Sequence, residues 1–206
     1  VAQMAEREML PAIYFIFSRR GCDKAVRDLG VQCLVNESEQ ARIRERLKAY
    51  TAANPEAVRD GLHADALLRG IAAHHAGVLP AWKELVEELF QQGLVKVVFA
   101  TETLAAGINM PARSTVIAAL SKRTERGHRP LMASEFLQMA GRAGRRGLDS
   151  KGYVVTVQAL NIIINKAHIL NQQEREEYAS FDNRCITYVA SVPGPVCTWL
   201  LSSLEM

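Results

Sequence analysis

Cysteine is scarce in this sequence, and its spacing does not fit a metal site. Four cysteines, at positions 22, 33, 185 and 197, occur among 206 residues, and no two of them form a CxxC pair. The histidines also lack the spacing to cysteine that zinc sites use. We therefore expect reduced intracellular thiols and no metal ion.

Long apolar runs and a strong charge of one sign are also missing. No run approaches the ~20 apolar residues that a membrane span needs, and the first residues, VAQMAEREML, lack a signal-peptide core. We expect no contact with a membrane. The formal net charge is only +3, so any affinity for polyanions must come from local clusters. Because the sequence also begins without Met, we expect it to be part of a longer chain.

Five short apolar runs predict the strands of a parallel sheet. They are AIYFIF (12–17), GIAAHH (70–75), LVKVVFA (94–100), STVIAAL (114–120) and GYVVTVQ (152–158). Helical patterns such as SRRGCDKAVRDL, AWKELVEELFQQG and SEFLQMAG lie between them. This alternation predicts an α/β fold with a mostly parallel sheet of about five to six strands, flanked by helices. Ligands of such sheets bind beyond the carboxyl ends of the strands.

Two segments depart from the alternating pattern. Residues 37–69 are polar and predict two helices interrupted at Asn54 and Pro55, as a helical insertion. Residues 159–206 mix apolar runs with a short acidic run and show no clear period. We expect this last segment to be an irregular tail, and we assign it no fold.

The stretch QMAGRAGRRG (138–147) crowds three cations, Arg142, Arg145 and Arg146, between glycines. One interpretation is a solvated basic helix end, since arginines near a helix carboxyl terminus favour the helix dipole. The other is a phosphate site. Gly141 and Gly144 would let the backbone approach a ligand, and planar guanidinium groups bind phosphate oxygens in pairs.

Polar residues follow two of the predicted strands at the edge where ligands bind. Ser18 and Arg19 follow the first strand, and Thr101 and Thr103 follow the third. Hydroxyls and backbone amides in such turns can hold a nucleic-acid backbone without reading bases. The alternative is that the two threonines only cap the following helix.

Three ordered motifs carry a resemblance to a known family. FIFSRRGCDKAV, GIAAHHAGVLPAWKELVEELFQQGLVKVVFATETLAAGINMPAR and QMAGRAGRRGLD resemble, over residues 9–158, the second RecA-like domain of superkiller-type DExH-box RNA helicases. That domain is the helicase C-terminal domain. MLPAIYFIFSRRGCD and LSKRTERG resemble most the chloroplast and cyanobacterial branch. This implies a chloroplast stroma or a bacterial cytoplasm as the location.

The resemblance implies a role for each residue that matches a motif around the nucleotide. Arg142 and Arg145 match arginine fingers directed at a triphosphate that the preceding domain holds, and Gln138 matches a residue that assists them. Gly107 and Asn109 match the positions nearest the nucleotide.

The resemblance also implies contacts with the RNA backbone. Ser18, Arg19, Thr101 and Thr103 match backbone-binding positions, and the HHAG stretch with His75 matches a loop that faces the RNA. Adjacent residues of a strand point to opposite faces, so we expect a structural role for at least one of the two histidines.

Two motifs of a complete helicase motor do not occur in these 206 residues. The sequence has no GxxxxGK[ST] loop and no DExH run. The resemblance implies that ATP and Mg²⁺ are bound mainly by the first RecA-like domain of a parent chain, so we expect the isolated chain to be inactive. Met139 stands where many related helicases have another arginine. The alternatives are a stand-alone, non-catalytic RNA- or helicase-binding module and a truncated gene model.

Overall fold

The computed structural model describes residues 1–54, 61–107, 110–125, 127–158, 185–191 and 198–201. The chain divides into two units, Val1–Met110 and Pro111–Met206. Within the described residues, no helix has the length and apolar character needed to cross a membrane.

The first unit is built on three parallel strands. They are β1 (Ala12–Phe15), β2 (Ile71–His74) and β3 (Val97–Ala100), and β3 lies between the other two. Nearly every residue of these strands is buried, as expected for parallel strands covered on both faces.

In the part of this unit that the structure describes, six helices accompany these strands: α1 (Ala2–Glu6), α2 (Arg19–Asp28), α3 (Glu37–Ala53), α4 (Gly61–Leu67), α5 (Pro80–Gln91) and α6 (Thr103–Gly107). Proline stands at the start of α5, where its missing N–H costs nothing. Helices α2 and α4 pack on the β2–β3 face through one apolar cluster of Cys22, Val26, Ala66, Ile71, Ala73, Val97 and Phe99.

The predicted helical insertion corresponds to α3 and α4. Asn36 and Glu39 form a capping box that starts α3, and the helix ends before Asn54, as the sequence predicts. Lys96 attaches α3 to the sheet, because its Nζ donates to Glu39 Oε1 at 2.7 Å. The predicted interruption at Pro55 lies outside the described residues.

In its described residues, the second unit contains α7 (Ala133–Ala140) and six strands: β4 (Ser114–Ile117), β5 (Ser121–Thr124), β6 (Gly127–Pro130), β7 (Gly152–Gln158), β8 (Cys185–Ser191) and β9 (Thr198–Leu201). β4 pairs with β7 and β7 pairs with β8, both parallel, and β9 runs antiparallel to β8. β5 and β6 form a separate antiparallel hairpin.

All five predicted strands form, and the α/β fold with a mostly parallel sheet flanked by helices is confirmed. Within 159–206, where we assigned no fold, the structure describes only β8 and β9. The hairpin of β5 and β6 was not predicted, because its strands, SKRT and GHRP, carry no apolar pattern.

Ion pairs between its side chains and helix α7 hold this hairpin in place. Lys122 of β5 and Arg129 of β6 are cross-strand partners, and both bind Glu135 at the start of α7. Arg129 makes two bonds to that carboxylate, at 2.9 and 2.6 Å. The bonds from Arg129, helped by Lys122, lower the pKa of Glu135 to about 2.

We expect Glu135→Gln to destabilise the fold at neutral pH by about 1.5 to 3 kcal/mol, the usual range for hydrogen bonds to a charged group. Since folding lowers the pKa from 4.5 to about 2, this stabilisation is complete above pH ~4.5 and is lost as the pH falls toward 2. The difference in unfolding free energy between the variant and the wild type should therefore shrink over that interval. Denaturant titrations at several pH values measure it.

The matched control is Glu125→Gln in the turn of the same hairpin, where the side chain is exposed. It should change the unfolding free energy by less than about 0.5 kcal/mol. An equal loss from both variants would contradict the role given to Glu135.

Candidate nucleic-acid and phosphate sites

The carboxyl ends of the three strands of the first unit lie side by side. Ala100 of β3 is in register with Phe15 of β1 and with His74 of β2. Two main-chain bonds continue this register past the strand ends: Ile16 N–H donates to Ala100 O at 2.8 Å, and Thr101 N–H donates to His74 O at 3.3 Å. The segments that begin at Ile16, His75 and Thr101 therefore leave the sheet at one common edge.

Ser18 and Arg19 are exposed at this edge. Ser18 is the N-cap of α2, and its Oγ accepts a hydrogen bond from Gly21 N–H at 2.9 Å. A serine hydroxyl that accepts one bond keeps its own hydrogen for donation. The cap therefore fixes the position of a donor and does not use it up.

Thr101 and Thr103 lie at the same edge, and their side chains bond to each other. The two Oγ1 atoms are 2.9 Å apart, and either of them can be the donor. Main-chain carbonyls of Thr101 and Glu102 accept the N–H groups of Leu104 and Ala105 at the start of α6. One hydroxyl hydrogen of the threonine pair remains to be directed outward, whichever threonine donates.

His75 is buried at this edge and both of its ring nitrogens have partners within the chain. Gly77 N–H donates to Nδ1 at 3.1 Å, so the proton of the neutral ring is on Nε2, which lies 2.9 Å from Asp23 Oδ1. Asp23 Oδ1 also lies 3.6 Å from His63 Nε2. The side chain of His75 thus ties the HHAG loop to α2.

The neighbouring His74 is also buried, with its Nε2 at 2.7 Å from Glu87 Oε1 on α5. Burial lowers the pKa of His74, although the bond to Glu87 opposes that effect. The two histidines bind different helices, which agrees with the alternating directions of adjacent strand residues.

In the second unit, the QMAGRAGRRG stretch begins at the end of α7. Gln138 is exposed, whereas Met139 is 1% exposed and packs in the core. The helix ends at Gly141. The segment that follows is pinned to the strand-like Ala112: Ala112 N–H donates to Arg142 O at 2.9 Å, and Gly144 N–H donates to Ala112 O at 2.7 Å.

Two glycines allow this loop to lie directly against β7. A Cβ added to Gly152 would be 2.6 Å from Gly144 N and 2.7 Å from Ala143 C, which are backbone atoms and cannot rotate away. Gly144 itself has φ +87°, a conformation that side chains disfavour. The loop of residues 141–149 is therefore fixed by backbone packing at its base, and we call it the finger loop after the arginine-finger motif that its sequence resembles.

Arg145 is held by an aspartate that the sequence interpretation did not single out. Its Nε and Nη2 donate to Asp149 Oδ2 and Oδ1, each at 2.8 Å, and its main-chain N–H donates to Oδ2 at 2.9 Å. These bonds lower the pKa of Asp149 and raise that of Arg145. Arg146, the next residue, is exposed.

The remaining nucleotide positions are described only in part. Gly107 is the last residue of α6 in the first unit, and Asn109 lies outside the described residues. The expectation that Gly107 and Asn109 lie nearest the nucleotide therefore stays a prediction.

The sequence matches the helicase conserved C-terminal domain over residues 11–147, and the chain belongs to that family. Three relatives illustrate the similarity and the share of each protein that it covers. The chain is 58% identical over 152 residues to the chloroplastic DExH-box ATP-dependent RNA helicase DExH15 of Arabidopsis thaliana, covering 74% of this chain and 13% of that protein.

The other two relatives come from a bacterium and an animal. The chain is 48% identical over 167 residues to the probable helicase HelY of Mycobacterium tuberculosis H37Rv, covering 76% of this chain and 18% of HelY. It is 44% identical over 159 residues to the human Superkiller complex protein 2, covering 75% of this chain and 13% of that protein. The chain thus spans less than a fifth of the length of these relatives.

Proposed function

We propose that this chain is the second RecA-like domain, residues 9–158, of an ATP-dependent RNA helicase of the superkiller type. The common edge of β1, β2 and β3 carries the proposal, because the hydroxyl and guanidinium donors that follow β1 and β3 leave the sheet there, beside the loop that contains His75. The names of DExH15 and of HelY support the helicase class, and the Superkiller relative supports the superkiller type. From the chloroplastic DExH15 and the bacterial HelY we infer the chloroplast stroma or a bacterial cytoplasm as the compartment.

RNA is proposed to run along this edge. Ser18, Arg19, Thr101 and Thr103 would donate to phosphate and sugar oxygens, which position the strand without reading its sequence. His75 would act through the HHAG loop that it ties to Asp23, since its two ring nitrogens are already bonded.

The phosphate chemistry is proposed to come from the finger loop. Arg142 and Arg145, with Gln138, would stabilise the charge that develops on the γ-phosphoryl group of ATP. ATP and Mg²⁺ would be held mainly by the first RecA-like domain of the parent chain, with Gly107 and Asn109 nearest the nucleotide. Residues 1–206 alone should then show no ATP hydrolysis.

We expect residues 1–206 to bind single-stranded RNA weakly and without sequence preference, because backbone contacts carry no base information. Affinity should fall about tenfold between 50 and 200 mM salt if two to three phosphates are neutralised. Arg19→Ala should lower the slope of log affinity against log salt by about 0.7, the value for one contact with a single strand. Fluorescence anisotropy with two RNAs of equal length and different sequence measures both.

Lys24→Ala serves as the control for lost charge, since the ammonium of Lys24 on the same helix is paired with Asp28. It should leave the salt slope unchanged. Sequence-selective binding that is insensitive to salt would contradict the helicase proposal and favour a stand-alone binding module.

A further inference from the structure

The contact between Arg145 and Asp149 uses one particular edge of the guanidinium group. Nε and Nη2, which form the side edge, each donate to a different carboxylate oxygen at 2.8 Å. Because the guanidinium is planar and its donors are fixed, the end edge formed by Nη1 and the second hydrogen of Nη2 is not used by Asp149. A guanidinium can therefore bind Asp149 and two phosphate oxygens at the same time.

Burial makes the aspartate the fixed member of the pair. The side chain of Asp149 is 2% exposed, whereas that of Arg145 is 26% exposed. The main-chain N–H of Arg145 also donates to Asp149 Oδ2 at 2.9 Å, so the carboxylate is bound by both the main chain and the guanidinium of Arg145. Arg113 adds a nearby positive charge that helps to keep this carboxylate ionised by lowering its pKa.

We propose that Asp149 is a positioning residue that holds Arg145 by its side edge and presents the end edge to the transferring phosphoryl group. This inference rests on the proposed function, in which Arg145 is an arginine finger. A free arginine side chain samples many rotamers, and ordering it during the reaction opposes catalysis. Asp149 orders the side chain in advance, which is the arrangement that favours charge stabilisation in the transition state.

The test uses a longer chain that joins residues 1–206 to a nucleotide-binding RecA-like domain. Asp149→Asn keeps the shape of the side chain but removes its charge and one acceptor. We expect kcat for RNA-stimulated ATP hydrolysis to fall about 10- to 100-fold, the cost of misplacing a catalytic group, while KM for ATP changes less than about twofold. In an Arg145→Ala background, Asp149→Asn should lower kcat no further.

The outcomes separate this inference from the proposed function. If Arg145→Ala lowers kcat but Asp149→Asn keeps the wild-type kcat, the positioning role is wrong and the finger role stands. The same conclusion follows if Asp149→Asn lowers kcat by the same factor in the wild-type and the Arg145→Ala backgrounds. If Arg145→Ala and Arg142→Ala both retain the wild-type kcat, the proposed function itself fails.

A second measurement does not depend on the folding of a variant. In ¹⁵N NMR spectra of the wild-type longer chain, the Nε–H of Arg145 should be protected from exchange with water, both without nucleotide and with ADP and a metal fluoride that mimics the γ-phosphoryl group. Loss of this protection when the mimic binds would mean that Arg145 leaves Asp149 to reach the phosphate, and would overturn the proposal.

Discussion

Replacing Arg145 with alanine is expected to lower kcat for RNA-stimulated ATP hydrolysis about 10³-fold in a chain that joins residues 1–206 to a nucleotide-binding domain. This is the lower end of the range for arginine fingers, because Arg142 would still contribute to the site. KM for ATP should change much less, since most of the affinity for nucleotide would come from the other domain. A loss of kcat without a matching change in KM marks an interaction made in the transition state.

The loss of Arg145 should also lower the stability of the fold, and this effect has to be separated from the effect on catalysis. Removing Arg145 leaves the buried carboxylate of Asp149 without its main partner. Breaking a buried pair in this way costs about 3 to 5 kcal/mol where both groups are fully buried, and less here because Arg145 is partly exposed. Unfolding should therefore be measured beside the kinetics. Arg145→Lys keeps a positive charge near Asp149 but cannot form the bidentate contact. Compared with Arg145→Ala, it should restore stability better than activity.

The matched control is Arg146→Ala, which removes an exposed guanidinium from the neighbouring position. It should leave kcat within about twofold of the wild type, because surface substitutions away from such contacts have small effects. If Arg146→Ala lowers kcat as much as Arg145→Ala with the fold intact, the assignment of the finger is wrong.

Gly152→Ala is expected to be the most damaging single-methyl change in the second unit. The added Cβ would lie 2.6 Å from Gly144 N and 2.8 Å from Gly144 Cα, so the finger loop or β7 has to move. Overpacking of this kind costs about 1 to 3 kcal/mol of stability. Because the displaced backbone carries Arg142 and Arg145, we also expect kcat to fall about 10²-fold, as misplacement by an ångström can do.

A glycine variant with a comparable loss of stability separates these two effects. Gly93→Ala follows α5 in the first unit, where a Cβ would meet nothing within 4 Å but φ is +71°. The left-handed conformation alone should cost about 1 to 2 kcal/mol. Denaturant unfolding should thus show losses of similar size for the two variants, whereas only Gly152→Ala should lose activity. Equal kcat values would show that the close packing of the loop on β7 does not matter for catalysis.

The strands β1 to β4 and β7 could be predicted because most of their residues are apolar and buried, as in VVFA of β3. Their register could not, although it is what brings Ser18, His75 and Thr101 to one edge. The hairpin of β5 and β6 escaped prediction because its strands carry no apolar pattern, and Glu135, which binds both strands, lies outside them.

The residues that hold the candidate site together were also hidden from sequence reasoning. Asp23 and His75 are 52 positions apart, and only the fold of α2 against β2 joins them. Asp149 lies four positions after Arg145, within GRRGLD, but a non-helical loop gives no period from which a contact could be read. Motif resemblance indicates which side chains meet a ligand, whereas their partners depend on tertiary packing.

Strand separation tests the central claim most directly, because it requires RNA contact and phosphoryl transfer to act together. The measurement is the ATP-dependent release of a labelled strand from an RNA duplex with a single-stranded overhang, for the longer chain, its Arg145→Ala variant and residues 1–206 alone. We predict release by the longer chain with ATP, and none by the variant or by residues 1–206. Release by residues 1–206 alone, or by the Arg145→Ala variant at the wild-type rate, would contradict the account.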